Sequence, residues 1–150
     1  MSQTFHQVFL HLVWSTRKRQ RLLIDDLEDF VHRRIREIAD ELDLDVLAIN
    51  SAWDHIHVLV EWNTHVAIAD AVREFKSRVT VEWNALARDS GAGRLLKWQR
   101  GYGVVSVRKS DVPRVAEYIR LQKERHANRR VWDVYEITQG QTISDEEDDD

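Results

Sequence analysis

The stretch from Leu44 to Trp62, Leu-Asp-Val-Leu-Ala-Ile-Asn-Ser-Ala-Trp-Asp-His-Ile-His-Val-Leu-Val-Glu-Trp, decides how the chain is organised. Its two runs, Leu44–Ser51 and Asp54–Trp62, are rich in Val, Ile, Leu and Trp. The connection between them is short enough to make them antiparallel neighbours. Upstream, Leu27, Phe30, Val31, Ile35, Ile38 and Leu42 recur at helical spacing, which predicts a helix from about Asp26 to Leu42 with Asp25 or Asp26 as its cap. Further upstream, Thr4–Ser15 alternates, with Val8, Leu10, Leu12 and Trp14 on one face and Gln7, Phe9, His11 and Val13 on the other. Both faces are largely apolar, as in a strand covered on both sides.

Downstream, a second helical pattern from about Ala67 to Arg88 carries Ile68, Val72, Phe75, Val79 and Trp83, and Ser90-Gly91-Ala92-Gly93 breaks it. Gly101–Val107 reads as a strand, and Pro113 sits in the first turn of a last helix from about Val112 to Asn128, where proline is tolerated. The order βαββαβ followed by one helix predicts an α+β fold, a ferredoxin-like sandwich with an antiparallel sheet and an added C-terminal helix.

The chain has 150 residues, 43% of them apolar, and no cysteine. That size supports a single core without disulfides or structural metal. The lack of thiols excludes cysteine nucleophiles and cysteine-ligated metal. No run of eighteen apolar residues and no signal-like N-terminus is present, so the expectation is a cytoplasmic protein with no membrane partner. The formal charge of −4 is unevenly spread, because Asp145–Asp150 are all acidic; subtracting those six from 26 acids leaves 20 against 22 Lys and Arg. Residues 1–143 are therefore expected to form one domain, and 144–150 a solvated acidic tail.

A strand's period of two puts His55 and His57 on one face, with Ile56, Val58 and Val60 on the other. Two imidazoles side by side can hold a divalent ion if a third ligand arrives from elsewhere. In the last helix Tyr118 and Gln122 are four residues apart and share a stripe. Beside it, Val112, Val115 and Ile119 form an apolar stripe that would dock the helix on the sheet, where the Tyr and Gln stripe could face the histidines. Trp53, Trp62, Trp83 and Trp98 are candidates for stacking on bases, with Trp83 at core spacing, whereas His6, His11, His32, His65 and His126 have no evident partner.

The chain resembles the single-tyrosine HUH transposases of the smallest bacterial insertion sequences, the TnpA type. The residues that carry the resemblance are His55-Ile56-His57, the Tyr118 to Gln122 spacing, the segment His11-Leu12-Val13-Trp14-Ser15-Thr16-Arg17-Lys18-Arg19, and Trp98-Gln99-Arg100-Gly101-Tyr102-Gly103. It implies that His55, His57 and Gln122 hold Mg²⁺ or Mn²⁺. It further implies that Tyr118 attacks a phosphodiester of single-stranded DNA, leaving a 5′-phosphotyrosine and a free 3′-OH. The implied partners are hairpins at element ends and a second copy of the chain, with sites that can be shared between subunits. Expected DNA contacts are Arg17, Lys18, Arg19 and Arg21 after the first strand, Lys76 on the second helix, and Arg120 and Lys123 on the last. An alternative is a catalytically silent relative that binds hairpin nucleic acid; its motives are the acidic tail and the sequence Glu74-Phe75-Lys76-Ser77, which lacks the glycine common there in the family.

Overall fold

The structure is a computed structural model, which describes residues 4–91 and 93–122. The end of the last expected helix, Lys123, Arg125, His126, Arg129, Arg130, Trp132 and the acidic run lie outside them. The elements are β1 (Val8–Ser15), α1 (Asp25–Glu41), β2 (Asp45–Ser51), β3 (His55–Trp62), α2 (Ile68–Ser90), β4 (Gly103–Val107) and α3 (Val112–Arg120), with short 3₁₀ turns at Arg17–Arg19 and Lys109–Asp111. The four strands form one antiparallel sheet in the order β2-β3-β1-β4. This is the sandwich expected from the order of elements, with β1 and β3 in the centre.

The alternation in β1 and β3 sorts their side chains into two cores. Leu10, Leu12 and Trp14 of β1 and Ile56, Val58 and Val60 of β3 pack beneath α1 and α2, against Val31, Ile35, Ile38, Val72, Phe75 and Val79. The opposite face is covered by α3, whose Val115, Tyr118 and Ile119 pack on Ala48 and Leu59. Both faces of the central strands are thus dry, which is why both sides of the β1 sequence are largely apolar.

Phe75 ties α2 to the sheet: its ring stacks on Trp14, with centroids 6.1 Å apart and planes 8° from parallel. Both side chains are fully buried. Phe75→Ala is expected to lower stability by about 3–5 kcal/mol, because the transfer free energy and the cavity add. Urea unfolding should show this as a lower midpoint with an unchanged slope; a loss under about 1 kcal/mol would mean the layer does not pack through this ring.

The structure corrects several boundaries. Residues 4–7 do not extend β1, because Val8 already pairs with Trp62, the last residue of β3. Strand β4 starts at Gly103 rather than Gly101, since its pairing with β1 ends at Val13 and Gly101 takes a positive φ of 78°. Neither Asp25 nor Asp26 caps α1: both lie inside its first turn with Glu28, where carboxylates favour the helix N-terminus through the dipole. Helix α2 ends at the left-handed Gly91, within the expected break. Pro113 does lie in the first turn of α3, but that helix stops at Arg120, and Leu121 departs from helical geometry (φ −96°, ψ 20°). Among the described residues no helix is long and apolar enough to cross a membrane.

Candidate active site

The site is built on the sheet face beneath α3. His55 and His57 project there from β3, with ring centroids 5.1 Å apart. In the β1–β3 register Ser15 is opposite His55 and Val13 opposite His57, which sets His11 diagonally across from His57. The two rings meet: His11 Nε2 lies 2.8 Å from His57 Nδ1. From the other side, the Tyr118 ring stands nearly perpendicular to His57, at 81° and 6.1 Å between centroids. His11, His55, His57, Tyr118 and Gln122 are all buried.

Helix α3 comes to this place because its apolar stripe docks on β2 and β3. Its C-terminal turn is also held by a polar contact. Asn50 of β2, opposite His57 in the register, donates from Nδ2 to the Arg120 carbonyl at 2.9 Å. Asn50 therefore satisfies one of the carbonyls that a helix end leaves over, and does so within the turn that carries Tyr118.

The imidazoles are oriented through their Nδ1 atoms. His55 Nδ1 lies 2.7 Å from Asp54 Oδ1, and Asp54 also pairs with the Arg19 guanidinium at 3.2 Å. Burial pushes the Asp54 carboxyl up, but the His55 hydrogen bond and the Arg19 charge together outweigh it and hold the group down at about 2. A folded-state value below the usual carboxylate range means this interaction stabilises the fold above about pH 4 and is lost only as pH falls toward 2. At neutral pH Asp54 is thus an acceptor, so His55 Nδ1–H donates to it and, in the neutral ring, Nε2 carries the lone pair.

The chemistry of the three expected ligands would suit a divalent cation that activates rather than one held in a cage. His55, His57 and Gln122 offer two imidazoles and an amide oxygen, neutral groups that would leave a bound divalent ion's charge uncompensated. Among the described residues no group of three His, Cys, Asp or Glu converges on one point. His11 is the partner of His57 Nδ1. It escaped the sequence reading because its face was legible but its diagonal partner, 46 residues away, was not.

The expected basic residues have distinct places. Arg17, Lys18 and Arg19 form the tight turn after β1, and Lys18 and Arg19 both take a left-handed φ of 54°. Such backbone is costly for non-glycine residues. The Thr16 hydroxyl secures it from between the carbonyls of Gln20 (2.7 Å) and Asp54 (3.2 Å). Lys18 and Arg21 are exposed, and Arg120 is exposed and paired with Glu117 at 2.6 Å. Lys76 has an internal role: its ammonium donates to the carbonyls of Gln99 (2.7 Å) and Gly101 (2.6 Å), fixing the segment that leads into β4. Of the tryptophans, Trp62 is buried, Trp98 packs edge-on to Trp14, and Trp83 lies against Phe30 while donating to the Arg94 carbonyl. Trp53 is exposed.

Known proteins resemble this chain along nearly all of the described residues. Residues 4–122 match the family described as "Transposase IS200 like". The ISDra2 transposase TnpA of Deinococcus radiodurans is 26% identical over 124 residues, spanning 80% of this chain and 87% of that protein. Among solved structures, a transposase candidate from Deinococcus radiodurans superposes with a TM-score of 0.60 at 24% identity, covering 82% of this chain and 96% of that one. A REP-associated tyrosine transposase, solved bound to a REP hairpin, superposes with a TM-score of 0.57 at 16% identity, covering 84% of this chain and 74% of the other. The two superpositions bear on the fold, and the match over residues 4–122 bears on descent: this chain belongs to the IS200-like transposase family.

Proposed function

We propose that this transposase-family protein cleaves and rejoins single-stranded DNA through a covalent Tyr118 intermediate, with Mg²⁺ or Mn²⁺ held by His55, His57 and Gln122. The observation that carries the reading is the packing of the Tyr118 ring against His57, beside His55, within one chain. A nucleophile and two metal-type ligands on a rigid sheet face make a strand-transfer constellation. Imidazole nitrogens suit Mn²⁺ better than the harder, oxygen-seeking Mg²⁺.

The tyrosine oxygen forms a bond to phosphorus as the bond to the 3′-oxygen breaks. The phenol proton is lost to solvent, and the leaving 3′-oxygen takes up a proton. The result is a 5′-phosphotyrosine and a free 3′-OH, and attack by another 3′-OH reverses the step without ATP. A free tyrosine hydroxyl titrates near 10, so the attack needs help at neutral pH. His55, His57 and Gln122 would hold a divalent ion, which would supply that help by polarising the phosphate and offsetting its developing charge. Asp54 and His11 keep the two rings in place, and α3 carries the tyrosine to them. A single strand is the fitting substrate, because its phosphate can bend into a site on a sheet face. Hairpins at element ends and a homodimer complete the proposal; the hairpin bound by the REP-associated relative supports the first of these, and the prevalence of symmetric pairs the second.

The test mixes the protein, Mg²⁺ or Mn²⁺, and labelled strands spanning the flanks of its own gene. Label migrating with protein on a denaturing gel is the expected result. Hairpin binding without any such band would replace this reading with a binding-only protein.

A further inference from the structure

We propose that Trp53 and Arg21 form a stacking platform for an unpaired nucleobase beside the His55–His57 site; the inference rests on the single-strand reading above. Trp53 is 52% exposed, whereas the other tryptophans among the described residues are buried or partly buried. A large indole left half in water in a turn forgoes part of the burial that would otherwise stabilise it. Its surroundings nevertheless hold it firmly.

The Trp53 carbonyl accepts from the N–H groups of both Leu22 (3.0 Å) and Leu23 (2.9 Å), and the next carbonyl, of Asp54, accepts from Thr16 N–H (2.9 Å). The β2–β3 turn is thereby tied to the segment that follows β1. That same segment delivers Arg21, whose guanidinium lies over the indole at 4.5 Å from the ring centroid. This cation–π contact steadies the ring and sets a positive charge on one of its faces. Asp54, next along the turn, pairs with Arg19 and His55. Two extended residues span at most about 7 Å, so the Trp53 backbone is within that distance of His55.

A rigid exposed indole with a guanidinium on it is the chemistry that recognises a nucleotide in a single strand. The base would lie on the face of the ring opposite Arg21, and the cation would meet a neighbouring phosphate. Stacking uses the π-face common to all bases, so the platform would orient the nucleotide flanking the scissile phosphate without reading its identity. An amphipathic side chain that merely shields the turn would show no such dependence on bases.

The experiment measures anisotropy of a labelled, hairpin-free strand of mixed sequence with wild type, W53F, W53L and R21A, in a chelator so that no cleavage intervenes. A backbone-only strand of abasic sites is run in parallel. Loss of one stacked base is worth about five- to a hundredfold in Kd. W53L should therefore weaken binding of the base-bearing strand by that factor while leaving the abasic strand unchanged. W53F should recover most of the loss, and R21A should lower the log–log salt slope by about 0.7. Leu retains bulk in the turn, and unchanged thermal unfolding of each variant confirms the fold. If wild type binds the strand and W53L binds it equally well, or weakens both strands alike, the platform is overturned and the strand-transfer reading stands. If wild type does not bind the hairpin-free strand, the platform is overturned, and the strand-transfer reading is decided separately by the adduct gel.

Discussion

Replacing Tyr118 with phenylalanine is expected to remove the protein–DNA covalent band entirely, a loss of at least about four orders of magnitude in strand cleavage. The substitution deletes one oxygen and keeps the ring, so the perpendicular packing against His57 and the apolar contacts of α3 should persist. Fold stability should fall by no more than the value of one buried hydrogen bond, about 1 kcal/mol. Binding to hairpin or single strand should be unchanged, because the hydroxyl acts on the phosphorus and not on strand capture. The measurement is the denaturing gel beside a native binding assay. Retained cleavage in Tyr118→Phe would show that water or another side chain is the nucleophile, and the buried tyrosine would then be a packing residue.

That prediction depends on α3 lying over the histidines, which was only partly legible in the sequence. The order of elements could be read because each boundary has a local chemical mark: the alternation in Val8–Trp14, the helical spacing from Leu27 to Leu42, and Gly91 ending α2. The shared face of His55 and His57 follows from a period of two and needs no tertiary information. What the sequence withheld were pairings between distant segments. The placement of His11 beside His57 depends on the register of β1 on β3, and a shift of one residue would have pointed His11 to the other face. The Asn50 contact to the Arg120 carbonyl and the Lys76 contacts to Gln99 and Gly101 join segments 70, 23 and 25 residues apart. A charged residue such as Lys76 reads as a candidate for phosphate until the carbonyls it serves are seen. Spacing along the last helix placed Tyr118 and Gln122 on one stripe, but α3 loses helical geometry at Leu121, between them. Both side chains are buried even so, because docking of the apolar stripe, and not helical periodicity alone, decides what lies beneath the helix.

His57→Ala is expected to have the second large effect, and comparison with His11 separates ligand from support. His57 lies between its neighbours: 5.1 Å from the His55 ring, 5.0 Å from His11 and 6.1 Å from Tyr118. Its removal deletes a metal ligand, so Mn²⁺-dependent adduct formation should disappear and Mn²⁺ should no longer raise the unfolding temperature, since an ion that does not bind cannot stabilise the fold. His11→Ala leaves the ligand but removes the group that meets its Nδ1. For His57 to bind a cation through Nε2, its Nδ1–H must donate to His11 Nε2, and without that acceptor the ring is free to turn or change tautomer. A supporting partner of this kind is worth about 10–100-fold in metal affinity. His11→Ala should therefore shift the Mn²⁺ concentration needed for half-maximal adduct upward by that factor, with activity recovered at saturating Mn²⁺, whereas no concentration restores His57→Ala. Equal and irreversible loss in both variants would make His11 a ligand in its own right. Full activity of His57→Ala would remove the metal from the mechanism and, with it, the role assigned to the histidine pair.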